Sequence, residues 1–134
     1  MIGQRIDAAI CYTKALECQA NHVWAHTNIS NLHLEAGELI EALHFARRAT
    51  ALDSSNDMAW NNCGAALARL NLLEEAVTCL ETAVKRNPNN AIAWCNLGAC
   101  RLQLGDPSGA KTCFSEALDL DPNLVAARQM LRGC

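Results

Sequence analysis

The apolar positions of the chain recur in helical steps. Residues 91–104 place Trp94, Leu97, Gly98 and Arg101 at i, i+3, i+4 and i+7, one face of a helix, and Gly105-Asp106-Pro107 stops it. A second helix is predicted to follow, with Asp106 as its cap and Pro107 at its first position, where a missing N–H costs nothing. It carries Ala110, Phe114, Ala117 and Leu118 inward until Asp121-Pro122 ends it. Gly98, Ala110 and Ala117 have almost no side chain, so the two helices are expected to approach closely while Trp94 and Phe114 fill the flanking gaps.

The pair is not unique. Ala8, Ala42, Ala76 and Ala110 are each 34 residues apart, and Ala15, Ala49, Ala83 and Ala117 keep the same interval. Trp60 and Trp94, Gly64 and Gly98, Pro88 and Pro122, and the trio Asn28, Asn62 and Asn96 share it. A period of this length means stacked helix pairs, each burying its apolar face against its neighbours. The chain reads as a single array over residues 1–134, with whole units at 23–56, 57–90 and 91–124. Residues 1–22 fit the second half of a unit through Gly3, Ala8, Tyr12 and Ala15, and residues 125–134 the start of another first helix, a partial cap in which Val125 to Leu131 shield the side of Phe114.

The units resemble tetratricopeptide repeats, whose pattern is W-x2-L-G-x2-Y, then A-x3-F, then P. Residues 91–124 carry Trp94, Leu97, Gly98, Ala110, Phe114 and Pro122, with Arg101 in place of the Tyr. Residues 57–90 match through Trp60, Gly64, Ala76 and Pro88, with Cys63 for Leu and Leu80 for Phe. Residues 23–56 depart further, with His26 in the Trp slot, Ser30 for Gly, Ala46 for Phe and Ser54 for Pro. Trp24 lies two residues early, so that unit is expected to pack differently at its start. The resemblance implies an all-α, right-handed superhelical solenoid of antiparallel helix pairs that serves as a protein–protein interaction module.

Composition agrees with a packed chain: 51% of residues are hydrophobic, 19% are charged and three are proline. The net charge of -3, without a basic block, argues against a nucleic-acid partner. No apolar run approaches the roughly 18 residues of a membrane span, and Met1 to Arg5 reads as amphipathic helix and not as a signal segment. A cytoplasmic protein without a membrane partner is expected.

Eight cysteines in Ala- and Leu-rich stretches, with no CxxC pair, read as buried free thiols and not as a disulfide framework. Cys11, Cys79 and Cys113 recur at one repeat position and are expected to pack as small hydrophobes. The nearest approach to a metal site is Cys18, His22 and His26, but a turn falls between Cys18 and His26 and no fourth ligand is near, so no metal is expected. His26 and His33 occupy the Trp and Tyr slots of the family and read as packing residues. With no phosphate loop, nucleophile elbow or HExxH helix, neither a cofactor nor catalysis is expected.

The inner surface of such an array is lined by the first helix of each unit. Its stripe reads Trp24, Asn28, Asn31 and Glu35, then Met58, Asn62, Ala65 and Arg69, then Ile92, Asn96, Ala99 and Gln103, bordered by Thr27, Asn61 and Cys95. A row of asparagine amides among apolar side chains suits pairing with the backbone of an extended peptide, independent of its sequence. The same amides can instead bond within the array. Some family members grip acidic C-terminal tails with a basic clamp, whose slots here hold Thr27, Asn31, Asn62, Ile92 and Asn96; the cations are absent, so carboxylate capture is not expected. The row is more similar to the asparagine ladder lining the repeats of the O-linked N-acetylglucosamine transferase.

The alternative reading is a structural scaffold or self-assembly segment of a larger protein or complex, such as the repeat arm of an enzyme. Ile6, Ile10 and Tyr12 belong to a half unit without its first helix, so the chain is expected either to continue a longer array or to form a homo-oligomer through that face.

Overall fold

The computed structural model describes residues 23–133. The half unit at 1–22, with Ile6, Ile10, Tyr12, Cys11, Cys18 and His22, lies outside the described residues, as does Cys134. Seven helices are described: α1 (Val23–Ala36), α2 (Leu39–Leu52), α3 (Asp57–Arg69), α4 (Leu73–Arg86), α5 (Ala91–Gln103), α6 (Pro107–Leu120) and α7 (Val125–Arg132). Successive first helices begin 34 residues apart, at Val23, Asp57, Ala91 and Val125.

Local chemistry explains several of the boundaries. Asn56, Asn90 and Asp106 accept hydrogen bonds through their side-chain oxygens from the N–H of Ala59, Ala93 and Gly109, and so cap α3, α5 and α6. The turn inside each unit needs a left-handed residue, supplied by Gly37, Asn71 and Gly105 at φ 78°, 64° and 85°. The next residue closes each turn, Glu38 N–H onto the His33 carbonyl, Leu72 onto Leu67 and Asp106 onto Arg101, at 2.8 to 2.9 Å. These bonds satisfy carbonyls that the helix end would otherwise leave open.

The indoles tie each first helix to the turn before it. Trp60 Nε1 donates to the Ser54 carbonyl at 2.9 Å and Trp94 Nε1 to the Pro88 carbonyl at 2.8 Å. Arg128 stands one period after Trp94, and its Nη2 donates to the Pro122 carbonyl in the same way. A guanidinium thus replaces the indole on the last described helix.

The close crossing within a unit matches a small residue to a large one. A Cβ on Gly98 would sit 2.7 Å from Phe114 Cε1, and one on Gly64 would sit 2.4 Å from Leu80 Cγ. Phe114 therefore lies directly over Gly98, where the sequence predicted a filler of the flanking gap. In the first unit the sizes are exchanged: Ser30, whose Oγ donates to the Ala42 carbonyl at 2.9 Å, replaces Gly, and buried Ala46 replaces the large residue. The missing aromatic is found one residue earlier. Phe45 stacks on His33 with ring centroids 5.5 Å apart and lies 6.2 Å from His26, so both histidines pack, as their slots predict.

Between units, α1 touches α3, α3 touches α5 and α5 touches α7, whereas α2, α4 and α6 approach only first helices closely. Closer spacing of the first helices bends the stack so that they line its inner side. The result is an all-α, right-handed superhelical solenoid. One apolar core runs from Leu34 through Leu67 and Leu80 to Leu97, and a second joins Cys95, Phe114 and Ala127. Met130 and Leu131 pack against the second, which joins α7 to the cluster that holds Phe114. No described helix is long and apolar enough to cross a membrane.

Candidate functional site

The predicted groove residues all lie on first helices, but they divide into two kinds. Trp24, Met58 and Ile92 occupy one position in successive units, and all are exposed, at 60%, 58% and 57%. Large apolar side chains repeated in this way do not contribute to the core. Asn31 and Gln103 are also exposed, with Asn31 Nδ2 donating to Glu35 Oε1 at 3.3 Å.

The asparagine row is largely occupied by the array itself. Asn62 is 5% exposed, and its Nδ2 donates to the Thr27 carbonyl at 3.3 Å. Asn96, half-buried, donates from Nδ2 to Asn61 Oδ1 at 3.0 Å. Each bond runs from one first helix to the position just before the equivalent one in the preceding unit. Arg69, on the same stripe, reaches the Leu34 carbonyl at the end of α1 at 2.8 Å. Two of the three amides expected to face a ligand, Asn62 and Asn96, therefore form rungs between units. Asn28 is half-buried at the first of these positions.

What the stripe offers outward is thus the apolar series, the nitrogen side of Asn61, Asn31 and Gln103. The border position holding Cys95 is buried at 8% exposure, and burial raises the pKa of its thiol. Thr27, also at the border, donates through Oγ1 to the Val23 carbonyl at 2.8 Å and accepts from Asn56 Nδ2 at 3.5 Å. Its hydroxyl is committed to the join between the first two units. The slots of the acidic-tail clamp hold no cation, and Asn96 in the Arg slot bonds within the array. Sequence reasoning missed that the rungs take their donors from this stripe; the pairing of 62 with 27 and 96 with 61 is visible only when the units are stacked.

Among the described residues no group of His, Cys, Asp and Glu is placed to hold a metal ion. His26, the described member of the Cys18, His22 and His26 set, is buried against Phe45.

Family models for the tetratricopeptide repeat match residues 91–124, 70–105 and 11–44. The chain is a tetratricopeptide repeat protein. A search of curated proteins finds no match. Among solved structures, the tetratricopeptide array is similar to the crystal structure of MamA at 21% identity and a TM-score of 0.85, covering 96% of this chain and 75% of that one. It is similar to YrrB, described as a TPR protein with an unusual peptide-binding site, at 28% identity and a TM-score of 0.82, covering 92% of this chain and 63% of that one. It also resembles the first TPR of Spaghetti (RPAP3) bound to HSP90 peptide SRMEEVD, at 25% identity and a TM-score of 0.78, covering 83% of this chain and 88% of that one. Fold and family together make this tetratricopeptide array a protein-interaction module in the general sense.

Proposed function

We propose that the array is a non-catalytic module that binds an extended peptide segment of a partner protein along the inner stripe of first helices. The observation that carries this reading is the series Trp24, Met58 and Ile92, large apolar side chains held 57% to 60% exposed at one position per unit. A ladder of this kind suits a ligand that presents an apolar side chain to each unit in turn. Asn28, Asn31, Asn61 and Gln103 supply polar contacts to the ligand backbone, while Asn62, Asn96 and Arg69 shape the groove by joining its units. Peptide-bearing and peptide-binding relatives of similar fold support the reading. The partner is not an acidic tail held by its carboxylates, because Thr27, Ile92 and Asn96 stand where cations would be needed. A cytoplasmic setting is consistent with this role.

The test is a display library of random peptides panned on the full chain, followed by affinity measurement with the selected sequences. Met58→Ser combined with Ile92→Ser should weaken the selected peptides about tenfold or more, a loss of about 1.4 kcal/mol for each factor of ten. Affinity that is undiminished in this variant, or that collapses between low and physiological salt as a charge clamp would, refutes the reading.

The alternative is assembly through the ends of the array. Val125, at the start of the last helix, is 59% exposed and would belong to such a surface. A concentration-dependent oligomer disrupted by Val125→Asp and indifferent to the groove variant would favour it.

A further inference from the structure

The face of α2 that points away from its buried alanines, Ala42, Ala46 and Ala49, is unlike the same face of α4 and α6. A shallow groove of about 460 Å³ runs along it, lined by Ile40, Leu43, His44, Arg47, Arg48 and Ala51. These residues follow one another at helical spacing and so share one side of the helix over three turns. Leu43 is its buried floor, Ile40 stands 65% exposed beside it, and His44, Arg48 and Ala51 are exposed. One and two periods later, Ile40 is replaced by Glu74 and Ser108, Arg47 by Glu81 and Ser115, and Arg48 by Thr82 and Glu116. A face that is apolar towards one end and cationic towards the other therefore occurs in the first unit alone among the described ones. Its positive charge is poorly matched: α2 sets Arg47 and Arg48 against one carboxylate, Glu41. Arg47 meets Glu75 of α4 at 3.6 Å with both side chains open to solvent, which keeps that pair weak, and among the described residues Arg48 makes no ion pair.

We propose that this face docks an acidic amphipathic helix of a partner protein, laid antiparallel to α2. Charge decides the chemistry of the partner, because two guanidiniums at the groove's edge pair best with carboxylates. The order of residues decides the direction. Ile40 and Leu43 lie in the first half of α2 and the arginines in the second. An antiparallel helix brings its first turn to Arg47 and Arg48, where its own dipole also favours Asp and Glu, and its later turns to Leu43 and Ile40. The apolar floor supplies the buried area that exposed ion pairs lack. The face shares no residue with the series Trp24, Met58 and Ile92, so the two surfaces bind independently.

The test pans a display library of helical peptides, with acidic and apolar positions varied, on the full chain and measures the affinity of those selected. The expected peptides carry carboxylates in the first turn and apolar residues one and two turns later. Arg48→Glu and Ile40→Ser should each weaken them about tenfold or more, whereas the groove variant with Met58→Ser and Ile92→Ser should leave them unchanged. Their affinity should fall as salt is raised. Changing the first-turn carboxylates to lysine should restore binding to Arg48→Glu, a recovery that an unfolded variant could not show. Peptides that bind Arg48→Glu as they bind the parent, that depend on Met58 and Ile92, or that are matched by a scrambled peptide of equal charge would overturn the proposal. Rescue confined to a lysine in the last turn would overturn the antiparallel direction, and binding to phosphatidylserine vesicles without any selected peptide would overturn the helix as occupant.

Discussion

Asn96 donates from its side-chain nitrogen to the side-chain oxygen of Asn61 at 3.0 Å, and this bond crosses from one unit to the next. Asn62 makes the preceding rung to the Thr27 carbonyl, in a more buried setting. A buried amide that satisfies a neighbour contributes to stability, and deleting it leaves that neighbour short of a partner. Asn96→Ala should therefore cost about 0.5 to 1.5 kcal/mol and Asn62→Ala about 1 to 3 kcal/mol. Urea denaturation of each variant checks this; two variants as stable as the parent would mean the amides do not join the units.

The crossing of Gly98 with Phe114 should resist any added side chain. Gly98→Leu must displace the ring that would lie 2.7 Å from its Cβ, and overpacking of this kind costs about 1 to 3 kcal/mol. The first unit suggests a compensated form, with Ser30 and Ala46 in the equivalent positions. Gly98→Ser and Phe114→Ala should together cost less than the sum of the singles, with a coupling of about 0.5 to 3 kcal/mol in a double-mutant cycle. Strict additivity would contradict the size exchange.

Trp94 should matter through its N–H as well as its ring. Trp94→Phe keeps an aromatic body but loses the bond to the Pro88 carbonyl, for about 0.5 to 1.5 kcal/mol. On the last described helix, Arg128→Leu removes the equivalent bond to Pro122, so amide exchange in α7 should quicken while α3 and α4 stay protected. Uniform loss of protection across all units would show that the anchor is not local.

Thiol labelling should separate cysteines that share a repeat position. Cys79 is half-buried with its pKa lowered by the Cys63 hydrogen bond and by Arg47, whereas burial raises Cys113, Cys95 and Cys100. Because the thiolate is the reacting form, a lowered pKa shifts the rise in labelling rate to lower pH. Cys79 should react first at neutral pH and slow as pH falls through its lowered pKa, with the other three slow throughout. Alkylation followed by peptide mapping over a pH series measures this, and equal rates for Cys79 and Cys113 would contradict it. The sequence treated these two as alike; the fold separates them by burying Cys113 beside Arg101 and leaving Cys79 half-buried.

The helix pairs and their 34-residue spacing were legible in the sequence, because helical periodicity, caps such as Asp106 and stop signals such as Gly105 act over a few neighbouring residues. The sequence also placed His26 and His33 as packing residues from their slots alone. Which departures compensate depends on the tertiary fold: Ser30 with Ala46, and Phe45 between two histidines, rely on partners twelve or more residues away. The same holds for the groove. Whether an asparagine faces a ligand or a neighbouring helix is set by how closely successive first helices approach, a distance that no local pattern encodes; here it turned Asn62 and Asn96 into rungs and left Trp24, Met58 and Ile92 exposed.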